Sequence, residues 1–313
     1  MDKTFSFKVK DELARLKLEN LCCVRSELLG LLRAGAVLEV KQSGLQLIFT
    51  TESPSVVRRT FLLFKKISSL HIKISREPRR IHDHNLYSVR VDTQPGLKEF
   101  LIQLGFLKSD VYSEGTVMPR MECCRRSYLR GFFLGAGSIT NPERSYHLEL
   151  VTGNRRHATH LIRLCRGFDL RARRVERKDR QVVYLKEGDE IATFLTLIGA
   201  VTSRLEFENV RVIKGVRNQV NRLVNCETAN LNKTVEAACR QLDAIRLLVA
   251  KMGLEGLPKP LREVARLRLE QPEATLKELG AQLNPPLGKS GVNHRLRKLE
   301  AMAAGLKEKG KKG

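Results

Sequence analysis

The sequence predicts an α+β protein: a duplicated αββαββ domain whose halves are related by a pseudo-twofold, followed by an all-α module. Three observations carry this prediction. The stretch Cys123 to Ile139 reads as an apolar helix that ends on small residues and runs into a strand. It has a weaker copy earlier in the chain: an offset of 101 places Cys22, Cys23, Arg25, Ser26, Leu28 and Gly30 on Cys123, Cys124, Arg126, Ser127, Leu129 and Gly131, six identities in nine positions. A fixed offset of this kind marks an internal repeat. The last 57 residues, by contrast, show three amphipathic helical patterns.

The same offset persists along each unit. Leu45 to Thr51 falls on Tyr146 to Thr152, and both segments are strand-like. Behind each lies a basic helix with apolar periodicity, Val56 to Ile67 and Arg155 to Phe168. Ahead of the first repeat, Phe5 and Phe7 precede a charged helix read over Val9 to Leu18, a packing arm. Pro78 to Asn85 reads as a connection carrying His82 and His84, which would share a strand face; without a third ligand they are read as exposed or DNA-facing residues. Leu97 to Leu104 is a short helix ending at Gly105, and Ser113 to Pro119 is the linker between repeats of about 1–112 and 120–222. Glu190 to Leu197 closes the second repeat. Val201 to Val224 follows as an amphipathic helix with Val210, Ile213, Val220 and Val224 as inner positions, and Asn225 to Thr234 interrupts it. A second helix, Thr234 to Lys251, completes a linker over 223–256.

Within the central stretch, Gly131 and Gly135 sit four apart and share a helix face. Glycine costs about 1 kcal/mol against alanine inside a helix, so a packing reason is expected. Gly30, Gly131 and Gly135 are therefore assigned to an interface where two helices, one per repeat, approach closely at the pseudo-twofold axis.

Leu129 to Gly137 resembles the motif that names the LAGLIDADG homing endonucleases, and Leu28 to Gly35 is a shorter, degenerate version. The resemblance implies that the motif helices form the central interface and that antiparallel strands on either side bind DNA. It also implies an acidic metal ligand at the next-to-last motif position. This chain has Ala136 there, and the first copy runs Arg33-Ala34-Gly35-Ala36. Phosphodiester cleavage needs carboxylate oxygens to hold Mg²⁺, so no catalytic residue is assigned. Together with the terminal module, nearly the whole chain resembles the WhiA family of bacterial sporulation and cell-division regulators.

A net charge of +23, from 57 Lys and Arg against 34 Asp and Glu, points to nucleic acid as the partner. No run of about twenty apolar residues is present, so no membrane span is expected. The charged start of the chain does not fit a signal peptide, and a cytoplasmic, nucleoid location is the default. The segment 155–180 holds ten Lys or Arg and three acids. Within it, Arg171 to Arg177 and Gln181 to Leu185 read as a basic hairpin. Arg171, Arg173, Arg174 and Arg177 are assigned to DNA, with alternation placing Arg171, Arg173 and Val175 on one face and Arg174 with Glu176 on the other.

Seven cysteines include two adjacent pairs. Neighbours on a helix point about 100° apart, which suits neither a disulfide framework nor a Cys-x-x-Cys zinc site. They are read as small buried side chains in a reducing compartment. The sharper alternative is a four-cysteine metal site joining the repeats at the starts of the two central helices. No metal or cofactor is assigned.

The module over 257–313 carries thirteen Lys or Arg and six acids. Leu261, Val264, Ala265 and Leu269 line one face of its first helix, which Pro272 ends. Thr275 with Glu278 forms a capping box for the second, whose inner face is Leu276, Leu279 and Leu283. After a turn over Asn284 to Lys289, Ser290 caps a third helix with the stripe Val292, Leu296, Leu299 and Ala303. The arrangement is a helix-turn-helix in which the third helix enters the major groove. Ser290, Asn293 and His294 are assigned to base edges; Arg295, Arg297 and Lys298 to phosphates or guanine. Lys307 to Gly313 is read as a disordered basic tail.

The expected function is a sequence-specific DNA-binding transcription regulator without nuclease activity, acting on promoters in double-stranded DNA. The resemblance implies control of sporulation, cell-division or chromosome-segregation genes, with a partner regulator protein. The alternatives are a nucleoid-associated or RNA-binding protein with little sequence preference and, further off, an active homing endonuclease.

Overall fold

The computed structural model describes residues 4–17, 20–42, 44–78, 85–108 and 119–309, with side chains as far as 306. The predicted histidine pair His82 and His84, most of the linker from Ser113 and the end of the basic tail lie outside the described residues. The chain forms two compact units, Met1–Gly215 and Val216–Gly313.

The first unit repeats one plan twice. Helix α1, Phe5–Ala14, comes first and begins four residues earlier than the charge pattern suggests, because the Thr4 side chain accepts from Phe7 N and caps it. The first repeat follows as α2 (Leu21–Gly35), β1 (Ala36–Lys41), β2 (Gly44–Thr51), α3 (Pro54–Ile67), β3 (Lys73–Pro78), β4 (Asn85–Val91) and α4 (Leu97–Gln103). The second is α5 (Glu122–Ala136), β5 (Gly137–Ile139), β6 (Leu148–Thr152), α6 (Arg155–Arg166), β7 (Arg173–Arg177), β8 (Arg180–Leu185) and α7 (Gly188–Ile198). The two four-stranded sheets are antiparallel with matching orders, β1-β2-β4-β3 and β5-β6-β8-β7. This is the predicted α+β duplication.

Helices α2 and α5 are the hub. Each buries nine of its fifteen residues, Glu27 and Arg33 of α2 and Arg130 of α5 among them, as a helix enclosed on most sides must. One core surrounds them and takes in Leu47, Phe49, Val89 and Val91 from the first sheet and Leu148, Leu150, Val183 and Leu185 from the second. Each sheet therefore presents one face to the helices and the other to solvent.

Helix α8 runs unbroken over Val201–Met252, which corrects the expected interruption at Asn225 to Thr234. Asn and Thr lower helix propensity by only about 0.7 kcal/mol per residue or less. No proline lies in the span, and the first turns are anchored in the core. Ala200 cannot cap this helix, so Glu12 of α1 does: its carboxylate accepts from Thr202 N at 2.7 Å and Ser203 N at 2.9 Å. Phe207 packs near Phe5 and Tyr146. Arg211 and Lys214 still reach Asp189 and the Pro142 carbonyl, and over 215–236 every residue of the helix is exposed. Ile213, Val220 and Val224, expected as inner positions, are 57%, 52% and 51% exposed. Their spacing is helical, but the described residues of the first unit pack only the opening turns.

In the second unit the end of α8 packs with α9 (Lys259–Glu270), α10 (Leu276–Ala281) and α11 (Lys289–Lys309). Ile245 and Leu248 of α8 join Leu261, Val264, Leu279, Leu283, Val292, Leu296 and Leu299 in one core. The module therefore draws its core from before residue 257, where the sequence reading began it. Helix α11 extends through Lys307 to Lys309, part of the stretch read as disordered.

Candidate nucleic-acid interface

The geometry of the site begins at the repeat interface, which sets the two sheets in place. A Cβ on Gly30 would stand 2.2 Å from the Tyr128 carbonyl oxygen, and one on Gly131 would stand 1.9 Å from the Glu27 carbonyl oxygen. Glu27 and Tyr128 are themselves related by the offset of 101, so the two contacts are reciprocal. Gly135 meets Ala34, its own counterpart, where a Cβ would lie 2.6 Å from that of Ala34. Equivalent residues meet at both ends of α2 and α5, so the helices run side by side in one direction around a pseudo-twofold.

Charge is buried beside this contact. Glu27 is 1% exposed and accepts from Arg59 Nε at 2.7 Å and Nη2 at 2.9 Å, and from Arg130 Nε at 3.0 Å. Arg130 also donates to the Ile198 carbonyl, and Arg59 to that of Leu16. Four helices (α2, α3, α5 and the end of α7) and the segment after α1 are thereby tied to one carboxylate. The sequence reading missed this cluster, because no local pattern links an acid on one helix with arginines 32 and 103 residues away.

At the far ends of α2 and α5, Gly35 and Ala136 hold equivalent positions and neither can ligate a metal. Among the described residues, the group of three or more Cys, His, Asp or Glu side chains that converges is instead Cys22, Cys23, Cys123 and Cys124, at the opposite ends of the same helices. The expected buried reading holds for Cys23 and Cys124, whereas Cys22 is half-buried and Cys123 exposed.

The solvent face of the second sheet follows from its register. Ser138, Glu149, Tyr184 and Arg173 form one row, and Val151, Val182 and Val175 the next. Arg173, Arg177 and Arg180 share this open face. A two-residue turn, Lys178-Asp179, joins their strands, with φ of 47° and 60° as the twist of a tight hairpin requires. Arg174 pairs with Val183 on the other face, beside Glu176, and Arg171 precedes the strand; both are exposed. Glu149 offsets part of the positive charge, standing 3.8 Å from Arg177 and 2.6 Å from His147. Arg180 was not assigned from the sequence, although strict alternation from Tyr184 finds it. On the first sheet Lys73 and Arg90 are paired in register on the equivalent open face. Lys73 holds Asp92 at 2.7 Å and keeps that carboxyl below the usual range, with Gln46 helping.

In the second unit, α10 has the expected capping box: Thr275 N donates to Glu278 at 2.7 Å and Glu278 N to Thr275 at 3.3 Å. The Thr275 backbone N–H, with the Thr275 side chain, holds the Glu278 carboxyl below its ordinary range. Helix α11 starts one residue before the expected cap, with Val292 N bonded to the Gly288 carbonyl, so Ser290 lies inside the first turn. Glycine at the cap leaves the polar first turn free of a side-chain lid. Ser290, His294, Arg297 and Lys298 are exposed on the face opposite Val292, Leu296 and Leu299, and Asn293 is half-buried on its flank. Arg295 differs: it is half-buried and its Nη1 donates to the Pro260 carbonyl at 3.2 Å, tying α11 to the start of α9. Arg268 is buried and bonded to the Ala274 and Pro272 carbonyls, and burial holds its pKa below the ordinary arginine value.

Fold and site together define a two-repeat LAGLIDADG-like domain joined to a helix-turn-helix module. Family models agree segment by segment: the WhiA N-terminal LAGLIDADG-like domain matches residues 21–107, the WhiA LAGLIDADG-like domain 125–217, and the WhiA C-terminal HTH domain 220–303. The chain belongs to the WhiA family. It is 46% identical over 98% of both chains to the probable cell division protein WhiA of Heliobacterium modesticaldum. It is 47% identical to the protein of that name from Desulforamulus reducens, over 97% of this chain and 96% of that one. The crystal structure of full-length DUF199/WhiA from Thermatoga maritima is similar, with a TM-score of 0.61 at 30% identity, covering 96% of this chain and 98% of that one. Among the described residues no helix is long and apolar enough to cross a membrane.

Proposed function

We propose that the protein is a DNA-binding transcription regulator that reads promoter sequence with α11, holds phosphates with the open faces of its sheets, and does not cleave DNA. The observation that carries this reading is the exposed face of the first three turns of α11, where Ser290, His294, Arg297 and Lys298 face away from an apolar core. A recognition helix presents its amino-terminal residues to base edges in this way. The names of the relatives make cell-division genes the first targets to examine, with sporulation and chromosome-segregation genes beside them, and the nucleoid is the expected location. The ends of α2 and α5 offer Gly35 and Ala136 where cleavage chemistry would need carboxylates.

The second unit contains no Phe, Tyr or Trp, the last in the chain being Phe207, and its one imidazole is His294. Single-stranded RNA is read largely by stacking bases on aromatic rings, so the absence favours a duplex partner. The charge of +23 fits a coating protein as well as a regulator, and the following comparison separates them. Asn293→Ala with His294→Ala should cost about 1–3 kcal/mol of discrimination for each base edge read and leave random DNA almost unaffected. Arg173→Ala with Arg177→Ala should weaken both DNAs and reduce the salt slope by about 0.9 for each phosphate no longer neutralised. Titrations of both variants on a promoter fragment found by genome-wide binding and on random DNA, at several salt concentrations, provide the test. Equal losses on both DNAs for the α11 variant would leave the coating protein as the better reading.

A further inference from the structure

The first turns of α2 and α5 carry the same residues at the same helical positions. Cys22 and Cys23 follow Leu21, the first residue of α2, and Cys123 and Cys124 follow Glu122, the first residue of α5. Since the helices run side by side in one direction, the pairs meet, and all four Sγ atoms lie within 4.8 Å of one another. We propose that Cys22, Cys23, Cys123 and Cys124 together hold one soft divalent cation, Zn²⁺, which joins the two repeats at the amino-terminal ends of the interface helices.

Distance, donor set and field all bear on this. Four thiolates at about 2.3 Å around a tetrahedral zinc stand about 3.8 Å apart. The separations within the pairs are 4.0 Å for Cys22–Cys23 and 3.9 Å for Cys123–Cys124. Closing the longest separation, 4.8 Å, to the zinc value takes a shift of about 1 Å. A group this compact fits one ion, whereas a multi-iron cluster spreads its thiolates around an inorganic core. Sulfur donors also exclude Mg²⁺ and Ca²⁺, which take oxygen. Adjacent cysteines on one helix cannot surround an ion alone, but two pairs approaching from two helices supply four corners.

The helix ends favour thiolates, while burial of Cys23 and Cys124 opposes them. Neither helix start has a side-chain cap, so the first-turn N–H groups of both helices, each at the positive end of a helix dipole, lie beside the sulfurs. The Ser26 and Ser127 hydroxyls donate to the Cys22 and Cys123 carbonyls at 2.9 Å each, one within each helix, and so help fix the turns that carry the sulfurs. Burial pushes the Cys23 thiol up to about 12 and raises that of Cys124, so zinc would displace protons as it binds. An open cleft of about 450 Å³ reaches Cys123 between Glu122, Arg126 and Ser127 and gives the ion a path.

The test uses the full chain, untagged, fully reduced and stripped with chelator. Titration with Co²⁺ should give one equivalent per chain, with the intense visible bands and sulfur-to-metal charge transfer of a tetrahedral tetrathiolate, and Zn²⁺ should displace it. Zn²⁺ should also raise the melting temperature reported by tyrosine fluorescence. Cys22→Ser with Cys123→Ser changes the two more accessible thiols, and circular dichroism checks that the variant folds. That variant should lose both effects, while Cys226→Ser with Cys239→Ser should keep both. The proposal is overturned if folded, reduced protein shows no thiolate bands. It is equally overturned if the bands survive in the Cys22→Ser, Cys123→Ser variant, or if the four thiols form disulfides on mild oxidation but take up no metal when reduced.

Discussion

Glu27→Gln is the most informative single change to the fold. The substitution keeps the volume of the side chain and removes its charge. Three hydrogen bonds of 2.7, 2.9 and 3.0 Å join that carboxylate to Arg59 and Arg130 in a site where Glu27 and Arg59 are 1% and 2% exposed. Removing one partner of a buried ion pair costs about 3–5 kcal/mol, because the remaining charge stays buried. Here two guanidiniums are left, but glutamine can still accept from one, so about 3 kcal/mol is expected. For a unit of this size each kcal/mol lowers the melting temperature by about 2–4 °C, giving a fall of about 6–12 °C. All five tyrosines lie in the first unit, the last being Tyr184, and the chain has no tryptophan, so tyrosine fluorescence during heating follows that unit alone. Asp11→Asn is the control. It breaks an i,i+4 pair with Arg15, whose side chain is 75% exposed, worth about 0.3–0.5 kcal/mol. If Glu27→Gln moves the transition no further than Asp11→Asn, the carboxylate does not hold the repeats together as argued.

Three further outcomes are expected. A fragment beginning at Val216 should fold and prefer promoter DNA, whereas one beginning at Leu257 should melt early for want of Ile245 and Leu248; equal circular dichroism melts would contradict this. Burial lowers the Lys10 ammonium to about 8 from 10.5, partly offset by Glu52. The unfolded chain then binds more protons between those values, so stability should rise as pH increases from 8 towards 10.5, a slope that Lys10→Met should flatten in melts across that range. Incubation of the pure protein with plasmid or promoter DNA in Mg²⁺ or Mn²⁺ should leave both intact, and cutting that persists through further purification would count against the proposed loss of nuclease chemistry.

Much of the fold was legible in the chain because repetition and periodicity are local. The Cys-Cys helix recurs at an offset of 101, and the observed sheets repeat with the same strand order. The glycines marked a close helix contact because their helix cost needs a cause, and the Thr275–Glu278 capping box is contained in four residues. Alternation placed Arg173 and Arg174 on opposite faces of β7. The continuity of α8 was not legible: a polar, asparagine-containing stretch resembles a loop until its ends are known to be anchored.

By itself the sequence determined the duplicated α+β plan, the helix-turn-helix pattern and the strong positive charge, since each rests on residues near one another in the chain. Only the tertiary structure decided which residues from different segments meet. It joined Glu27 to Arg59 and Arg130, put Glu12 at the start of α8, drew Ile245 and Leu248 into the second unit's core, and tied Arg295 to Pro260. It also turned two unpromising Cys-Cys pairs into one group of four sulfurs. The physical reason is the same in each case: hydrogen-bond and ligand geometry depends on distance in space, and a single sequence encodes that distance only through the packing of the whole unit.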